Sequence, residues 1–233
     1  MMRSDGKWAA GTVLHALDPD DRRALIGLGA PRVFQPGATL ISEGSRDFDA
    51  YVLLDGCCKV LGNSVDGRAV LVSIRIGGDL VGELAALDEQ PRSATVIALT
   101  PVTSRVISRP RFLRYLATHP LAAQAIHAQV ARELRRSTRY RVYVNGAPIA
   151  ARLAFVLDFL AETYGQPGPD GVRIDVPLSQ PELASLIGVS EPSLHRALSD
   201  LRSRNVIVTR YRRVIVRDPA LLRALATTGT DRL

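Results

Sequence analysis

Two stretches of this 233-residue chain hold residue types whose spacing can do chemistry. Residues 77–94 read GGDLVGELAALDEQPRSA. Gly82 has no side chain to keep a phosphate away from the backbone. Glu83 supplies a carboxylate suited to accepting from a ribose hydroxyl. Arg92 supplies a two-pronged donor suited to a phosphate, and Ser93 adds a hydroxyl and a backbone N–H beside it. The competing reading is a structural Glu83–Arg92 ion pair, because an acid and an arginine enclosed in a small fold are costly to bury unless matched.

Residues 180–199 read QPELASLIGVSEPSLHRALS. Ser179 and Glu182 form a capping box at the start of one helix. Ala184 is small where two helices must cross closely. Gly188 occupies the turn, where a positive φ is easiest for glycine. Val189, Leu194, Leu198 and Leu201 pin a second helix to the first. Ser190 is placed to cap that helix, and Pro192 lies in its first turn, where the missing donor costs little. This is a helix-turn-helix pattern, and a basic hairpin follows it as a wing. The alternative is a generic helical hairpin.

In the first reading the second helix enters a DNA major groove. Glu191, Ser193, His195, Arg196, Ser199 and Arg202 then point outward. Arg196 is the base reader, since arginine grips a guanine edge with two bonds. Glu191 either accepts from cytosine or repels phosphate. Arg202, Arg204, Arg210, Arg212 and Arg213 suit phosphates, which position a protein without specifying sequence. His195 faces solvent or phosphate, as no partner ligand for a metal lies near it. From Ser190 to Arg217 seven arginines face two acids, so the patch is basic although the whole chain carries only +7.

The elements that must hold these groups are readable too. Asp18-Pro19-Asp20-Asp21 opens a short helix, with Asp at the N-cap, Pro first and acids in the first turn. From Arg32 to Ser108, short β-rich runs (39–41, 51–54, 69–74, 94–99 and 102–107) alternate with glycine turns, which predicts an antiparallel roll or barrel. Asp66-Gly67 between two runs is a hairpin signal. A long helix is expected from Pro120 to about Val144. Within it Val130, Leu134, Ser137, Arg141 and Val144 follow a 4-3-4-3 spacing suited to a parallel partner helix, although two of the five are polar. A dimer seam is favoured over a helix lying on its own domain. Asn145-Gly146-Ala147-Pro148 reads as a hinge. Pro148 then starts a helix ending near Tyr164. Residues 165–171 read as a loop, 172–176 as a short strand, and 206–208 with 214–216 as a hairpin around a basic turn.

Composition excludes several classes. Hydrophobic residues make up 46% and charged residues 23%, a balance that excludes a mostly disordered chain. No run of eighteen apolar residues exists, so no membrane span is expected. The N-terminus does not read as a signal peptide, and a cytoplasmic protein is expected. Cys57 and Cys58 are adjacent, cannot hold a cluster alone, and read as small strand residues. No nucleophile–base pair, phosphate-cradling nucleotide loop or metal spacing is present, and His15, His119, His127 and His195 are scattered. An enzyme, a cofactor and a metal are therefore not expected.

Both motifs, in this order, resemble the cyclic-AMP receptor protein/FNR (Crp/Fnr) family of bacterial transcription regulators. Pro36-Gly37, Glu43-Gly44 and residues 51–56, YVLLDG, add to the resemblance, which spans about residues 15–220. It implies an α+β fold: an N-terminal cyclic-nucleotide-binding β-roll (a double-stranded β-helix or jelly roll), a long dimerisation helix and a C-terminal winged helix-turn-helix. The expected boundaries are 1–116 for the effector domain, 117–145 for the helix and hinge, and 146–233 for the DNA-binding domain. The resemblance also implies a phosphate-binding cassette at Gly82, Glu83, Leu84, Arg92, Ser93 and Ala94. Ser137-Thr138 falls where members that bind cyclic AMP carry Thr-Ser against the base.

The expected DNA-binding set is Ser190, Glu191, Ser193, His195, Arg196, Ser199, Arg202 and Arg212. The implied protein is a homodimer on palindromic double-stranded DNA, with cAMP as the effector, cGMP open, RNA polymerase as a partner and no membrane. Rotation at Asn145-Gly146 would space two recognition helices about 34 Å apart. Well-known members begin the recognition helix with Arg-Glu and place an arginine later. Here the matching positions are Glu191, Pro192 and Arg196, so the usual half-site does not carry over. A regulator that uses another effector or none stays open. Arg92→Ala is expected to abolish nucleotide binding and leave the fold intact.

Overall fold

The computed structural model describes residues 8–63, 69–174, 176–210 and 213–227, without the side chains of residues 139–145. The chain divides into two compact units, residues 1–133 and 134–233.

The first unit opens with α1 (Val13–Ala16) and α2 (Pro19–Leu28). Asp18 caps α2 as its Asp-Pro-Asp-Asp start predicts, accepting from the Asp20 and Asp21 N–H groups at 2.9 Å each. The strands β1 (Ala30–Phe34), β2 (Thr39–Ile41), β3 (Ala50–Asp55), β4 (Cys57–Asn63), β5 (Ala69–Ile76) and β6 (Leu80–Val81) follow. Then come α3 (Glu83–Asp88), β7 (Thr95–Ala98), β8 (Val102–Ile107), α4 (Arg109–Thr118) and α5 (Pro120–Gly146). The strands form two antiparallel sheets, ordered β1-β8-β3-β6 and β2-β7-β4-β5.

Strand β3 shows how alternation builds both cores. Tyr51 and Leu53 pack with Leu40, Ile41, Cys58 and Val96 between the sheets. Ala50 and Val52 join Leu14, Leu25, Phe112 and Tyr115 from the flanking helices. Cys57 and Cys58 sit unbridged in β4, and burial pushes both thiols up to about 12, which leaves them inert.

Helix α5 combines the two readings of its sequence. Ala122 and Ile126, one turn apart, are buried in the helical core of the first unit, so its first turns do lie on their own domain. Leu134, farther along, is 63% exposed, and Ser137 and Thr138 are exposed as well. The helix breaks within the expected segment, in its second half. Asn145 and Gly146 are helical, and the break falls at Ala147-Pro148. One helical glycine costs only about 1 kcal/mol, whereas proline pushes the residue before it out of the helical region. The Asp66-Gly67 hairpin and the side chains of Arg141 and Val144 lie outside the described residues.

The second unit holds α6 (Ile149–Tyr164), β9 (Gly165–Gly168), β10 (Gly171–Ile174), α7 (Gln180–Leu186), α8 (Glu191–Ser203), β11 (Ile207–Arg210), β12 (Arg213–Val216) and α9 (Pro219–Thr227). Its sheet runs β11-β12-β10-β9, all antiparallel. In place of the expected loop, residues 165–168 form an edge strand. A Cβ on Gly165 would stand 2.1 Å from the Ala161 carbonyl, so glycine is what lets α6 turn directly into β9. An edge position also tolerates Pro167. Helix α9 was not anticipated, though Asp218-Pro219 repeats the Asp-Pro start of α2 and Asp218 accepts from the Leu221 N–H at 2.9 Å. Among the described residues no helix is long and apolar enough to cross a membrane.

Phe112 is fully buried in the core that joins α4 and α5 to the sheet. Phe112→Ala is expected to cost about 3–5 kcal/mol in urea unfolding. A cost below about 1 kcal/mol would show that this core does not hold the helices to the roll.

Candidate functional site

Gly82, Glu83, Leu84, Arg92, Ser93 and Ala94 all line one cavity of about 100 Å³ in the first unit. The turn from β6 into α3 carries the first three, and the segment before β7 carries the rest. Gly82 has φ +79, and a Cβ there would stand 2.5 Å from Arg92 Nη1 and 2.9 Å from the Asp49 carbonyl. Glycine is required both by conformation and by the guanidinium packed against it.

Arg92 is only 3% exposed, yet four of its five donors are engaged. Nη1 donates to the Gly82 carbonyl at 2.8 Å and Nη2 to the Asp49 carbonyl at 2.6 Å. Nε and Nη2 both donate to Asp47 Oδ1, Nε at 3.2 Å. The backbone is fixed as well: the Gly44 N–H donates to the Arg92 carbonyl at 2.8 Å, and the Arg92 N–H to the Ser45 carbonyl at 2.9 Å. The Glu43-Gly44 turn flagged in the sequence is thus the dock for Arg92, with Gly44 at φ +78.

The Glu83–Arg92 pair weighed from the sequence does not form. The carboxylate on Arg92 is Asp47. The cation nearest in effect to Glu83 is Arg75 on β5, which also lines the cavity. Burial raises the Glu83 pKa and the Arg75 charge opposes that rise, leaving it above its ordinary value. Arg75 Nη1 lies 2.8 Å from Glu133 Oε1 on α5. Burial alone would lower the Arg75 pKa, but Glu133, Asp79 and Glu83 outweigh it and hold the guanidinium charged.

Sequence reasoning missed Asp47 and Arg75. Arg75 had a signal, being the one charged residue in the eight-residue β5. Asp47 had none, since its role depends on a contact 45 residues away. Ser137 and Thr138 are exposed positions of α5 in the second unit, and the lining of this cavity comes from the first unit.

In the second unit both halves of the Ser179–Glu182 capping box are present. Gly188 turns the chain at φ +66. Leu194, Leu198 and Leu201 are buried beneath α8. Ser190, Glu191, His195, Arg196, Ser199 and Arg202 are exposed, and Ser193 is half-buried. Ser190 does not cap α8 with its side chain: its hydroxyl donates to Ser193 Oγ at 3.1 Å, and Arg196 Nη2 donates to the same atom at 3.2 Å. Arg202 Nη1 donates to Thr209 Oγ1 at 3.2 Å, bracing the helix against the hairpin. Arg212 lies outside the described residues. A helix with a buried apolar face and an exposed polar face of this kind, followed by a hairpin, can enter a DNA groove.

Fold and sites together define a DNA-binding transcription regulator with an N-terminal cyclic nucleotide-binding domain. The family model described as a cyclic nucleotide-binding domain matches residues 31–119, and that described as a Crp-like helix-turn-helix domain matches residues 151–225. The chain belongs to the Crp family of transcription regulators. A CRP-like cAMP-activated global transcriptional regulator of Mycobacterium tuberculosis is 27% identical over 210 residues, 90% of this chain and 94% of that one. The crystal structure of a CRP-family regulator from Thermus thermophilus matches with a TM-score of 0.71 at 27% identity, covering 85% of this chain and 97% of that one. The c-di-GMP responsive global regulator of Xanthomonas campestris shares the fold, with a TM-score of 0.72 at 20% identity over 86% of this chain and 100% of that one.

Asp47 is a linkage group. Burial alone would raise its pKa, but hydrogen bonds from Arg92 and Ser45 outweigh that and leave it below the ordinary 3.8. Its contribution to stability is complete above 3.8 and lost as pH falls through the lower folded value. Asp47→Asn is therefore expected to melt lower than wild type at pH 7, with the gap narrowing below pH 3.8. A gap constant with pH would show that the charge on Asp47 does not stabilise Arg92.

Proposed function

We propose that the chain acts as a homodimer whose binding to palindromic double-stranded DNA is controlled by a cyclic nucleotide held in the roll, with cAMP the first ligand to test. One observation carries this: all six residues of the cassette line a single cavity. In this reading the cyclic phosphate takes the remaining Nη1 donor of Arg92 with the Ser93 hydroxyl and N–H. Glu83 accepts from the ribose hydroxyl. The Mycobacterium tuberculosis relative is named as cAMP-activated, which supports cAMP here. The exposed Leu134 within the 4-3-4-3 spacing supports a helix seam between two copies. RNA polymerase is the partner such a regulator would address. The nucleotide acts only through its different affinities for two states of the dimer.

A second reading has its own observation. Four of the five Arg92 donors are already matched by Asp47 and two backbone carbonyls, so one donor is left for a phosphate. A regulator that binds DNA without nucleotide, or with another effector, follows from that.

The same network changes the test. Arg92→Ala would remove the bonds that tie the part-buried Gly82 and Asp49 carbonyls together and disturb the fold, contrary to the sequence expectation. Ser93 is exposed and leaves those bonds alone. Calorimetric titration with cAMP and, in parallel, cGMP is expected to show saturable binding near one per chain, and Ser93→Ala to weaken it about tenfold. No heat with either nucleotide from folded dimer would overturn the cassette and favour the second reading. Arg196→Ala is expected to relax the preference at one base position, at a cost of about 1–3 kcal/mol to the preferred site. A uniform loss across all sequences would make Arg196 a phosphate contact.

A further inference from the structure

Arg75 and Glu83 line two cavities at once. One is the 100 Å³ cavity of the cassette, and the other is a space of about 10 Å³ against α5, lined also by Gln129, Val130 and Glu133. Arg75 therefore stands between the cassette and the long helix. Its side chain is 15% exposed and that of Glu133 25%, so their pair is shielded from bulk water and held more firmly than a surface pair. The contact uses Nη1, and an arginine has further donors on Nε and Nη2.

The orientation of a bound nucleotide follows from the proposed function, on which this inference rests. With the phosphate at Arg92 and Ser93 and the ribose at Glu83, the base lies beyond Glu83. Arg75 is the residue that accompanies Glu83 in both cavities. Either purine offers an acceptor, N7, and guanine adds O6 beside it. A guanidinium can bond such an edge while keeping a carboxylate on another nitrogen.

We propose that Arg75 is a ligand-binding residue that also anchors α5: one nitrogen holds Glu133, and the others bond an acceptor on the nucleotide base, so that the helix senses an occupied cavity. Glu133 is the positioning residue, since it reaches the ligand only through Arg75. Holding Arg75 in place before binding lowers the ordering cost when the ligand arrives. The rival account is a strut, in which the pair ties β5 to α5 and takes no part in binding.

Three variants separate these accounts, each titrated with whichever of cAMP and cGMP binds wild type. Arg75→Lys keeps the charge and can still pair with Glu133, but a point ammonium cannot serve both partners in a planar fork. It is expected to melt within a few degrees of wild type and bind nucleotide about tenfold more weakly. Glu133→Gln is expected to shrink the nucleotide-dependent gain in DNA affinity by more than it shrinks nucleotide affinity. The double variant Arg75→Met with Glu133→Leu replaces the pair by an apolar contact without adding an acid beside Glu83 and Asp79, and is expected to fold and to bind nucleotide about tenfold more weakly.

Wild-type affinity in Arg75→Lys or in the double variant would leave only a strut and overturn the proposal. An undiminished nucleotide-dependent gain in Glu133→Gln would remove the link to α5. If wild type itself binds neither nucleotide, the cyclic-nucleotide reading fails and this one with it. That result is distinct from binding in wild type that the variants leave untouched.

Discussion

The buried guanidinium of Arg92 is the constraint on which the first unit depends. It reaches Asp47 and the Asp49 carbonyl in one loop and the Gly82 carbonyl in another. A buried charge is tolerated only when its donors are answered, and an unmatched one costs several kcal/mol. The surrounding sequence is shaped by that demand. Gly82 must lack a side chain because Arg92 occupies the space, and Gly44 must turn at positive φ so that its N–H meets the Arg92 carbonyl. The Arg92 network thereby holds the cavity's walls in place, and a fixed wall lowers the ordering cost of binding.

Much of this was legible because it is local. The capping box at Ser179–Glu182, the Asp18 cap and the turn at Gly188 depend on neighbours within four residues, and each formed as read. Strand β3 was legible from its apolar run, although only the structure shows that its two faces serve different cores. Gly82, Glu83, Arg92 and Ser93 were legible from type and spacing, Leu84 and Ala94 only through the family resemblance. Their partners were not, because Asp47 and Glu133 meet their arginines across 45 and 58 positions. The strand at residues 165–168 was misread for a related reason: glycine and proline signal a loop until a neighbouring strand supplies the ladder. The break was drawn two residues too wide, because glycine only weakens a helix while proline ends one.

Helix α5 is the element that belongs to both units, since their division falls within it. Its early turns bury Ala122 and Ile126, and its later turns expose Leu134, Ser137 and Thr138. A helix committed on one part and exposed on the next can carry information between units only if ligand changes what the committed part holds. Among its described contacts, the Arg75–Glu133 pair is the one that also borders the cassette cavity. In the second unit the apolar residues of α8 are buried, and Arg202 is committed to the hairpin through Thr209. That bond links α8 to the β11–β12 hairpin, so the position of Arg202 depends on both elements.

Charge balance around the cavity sets what it can select. Both arginines in its lining already face carboxylates outside it, Arg92 with Asp47 and Arg75 with Glu133, and Glu83 adds a third acid at the wall. A bare anion gains little from cations already neutralised, and Glu83 opposes it. A ligand that brings hydroxyls to Glu83 and an acceptor edge to Arg75, as well as a phosphate to Arg92, gains at each contact without adding a second charge. In the proposed reading these ion pairs disfavour inorganic phosphate and favour a molecule with a sugar and a base attached. Under the proposed function, selectivity and stability come from the same ion pairs.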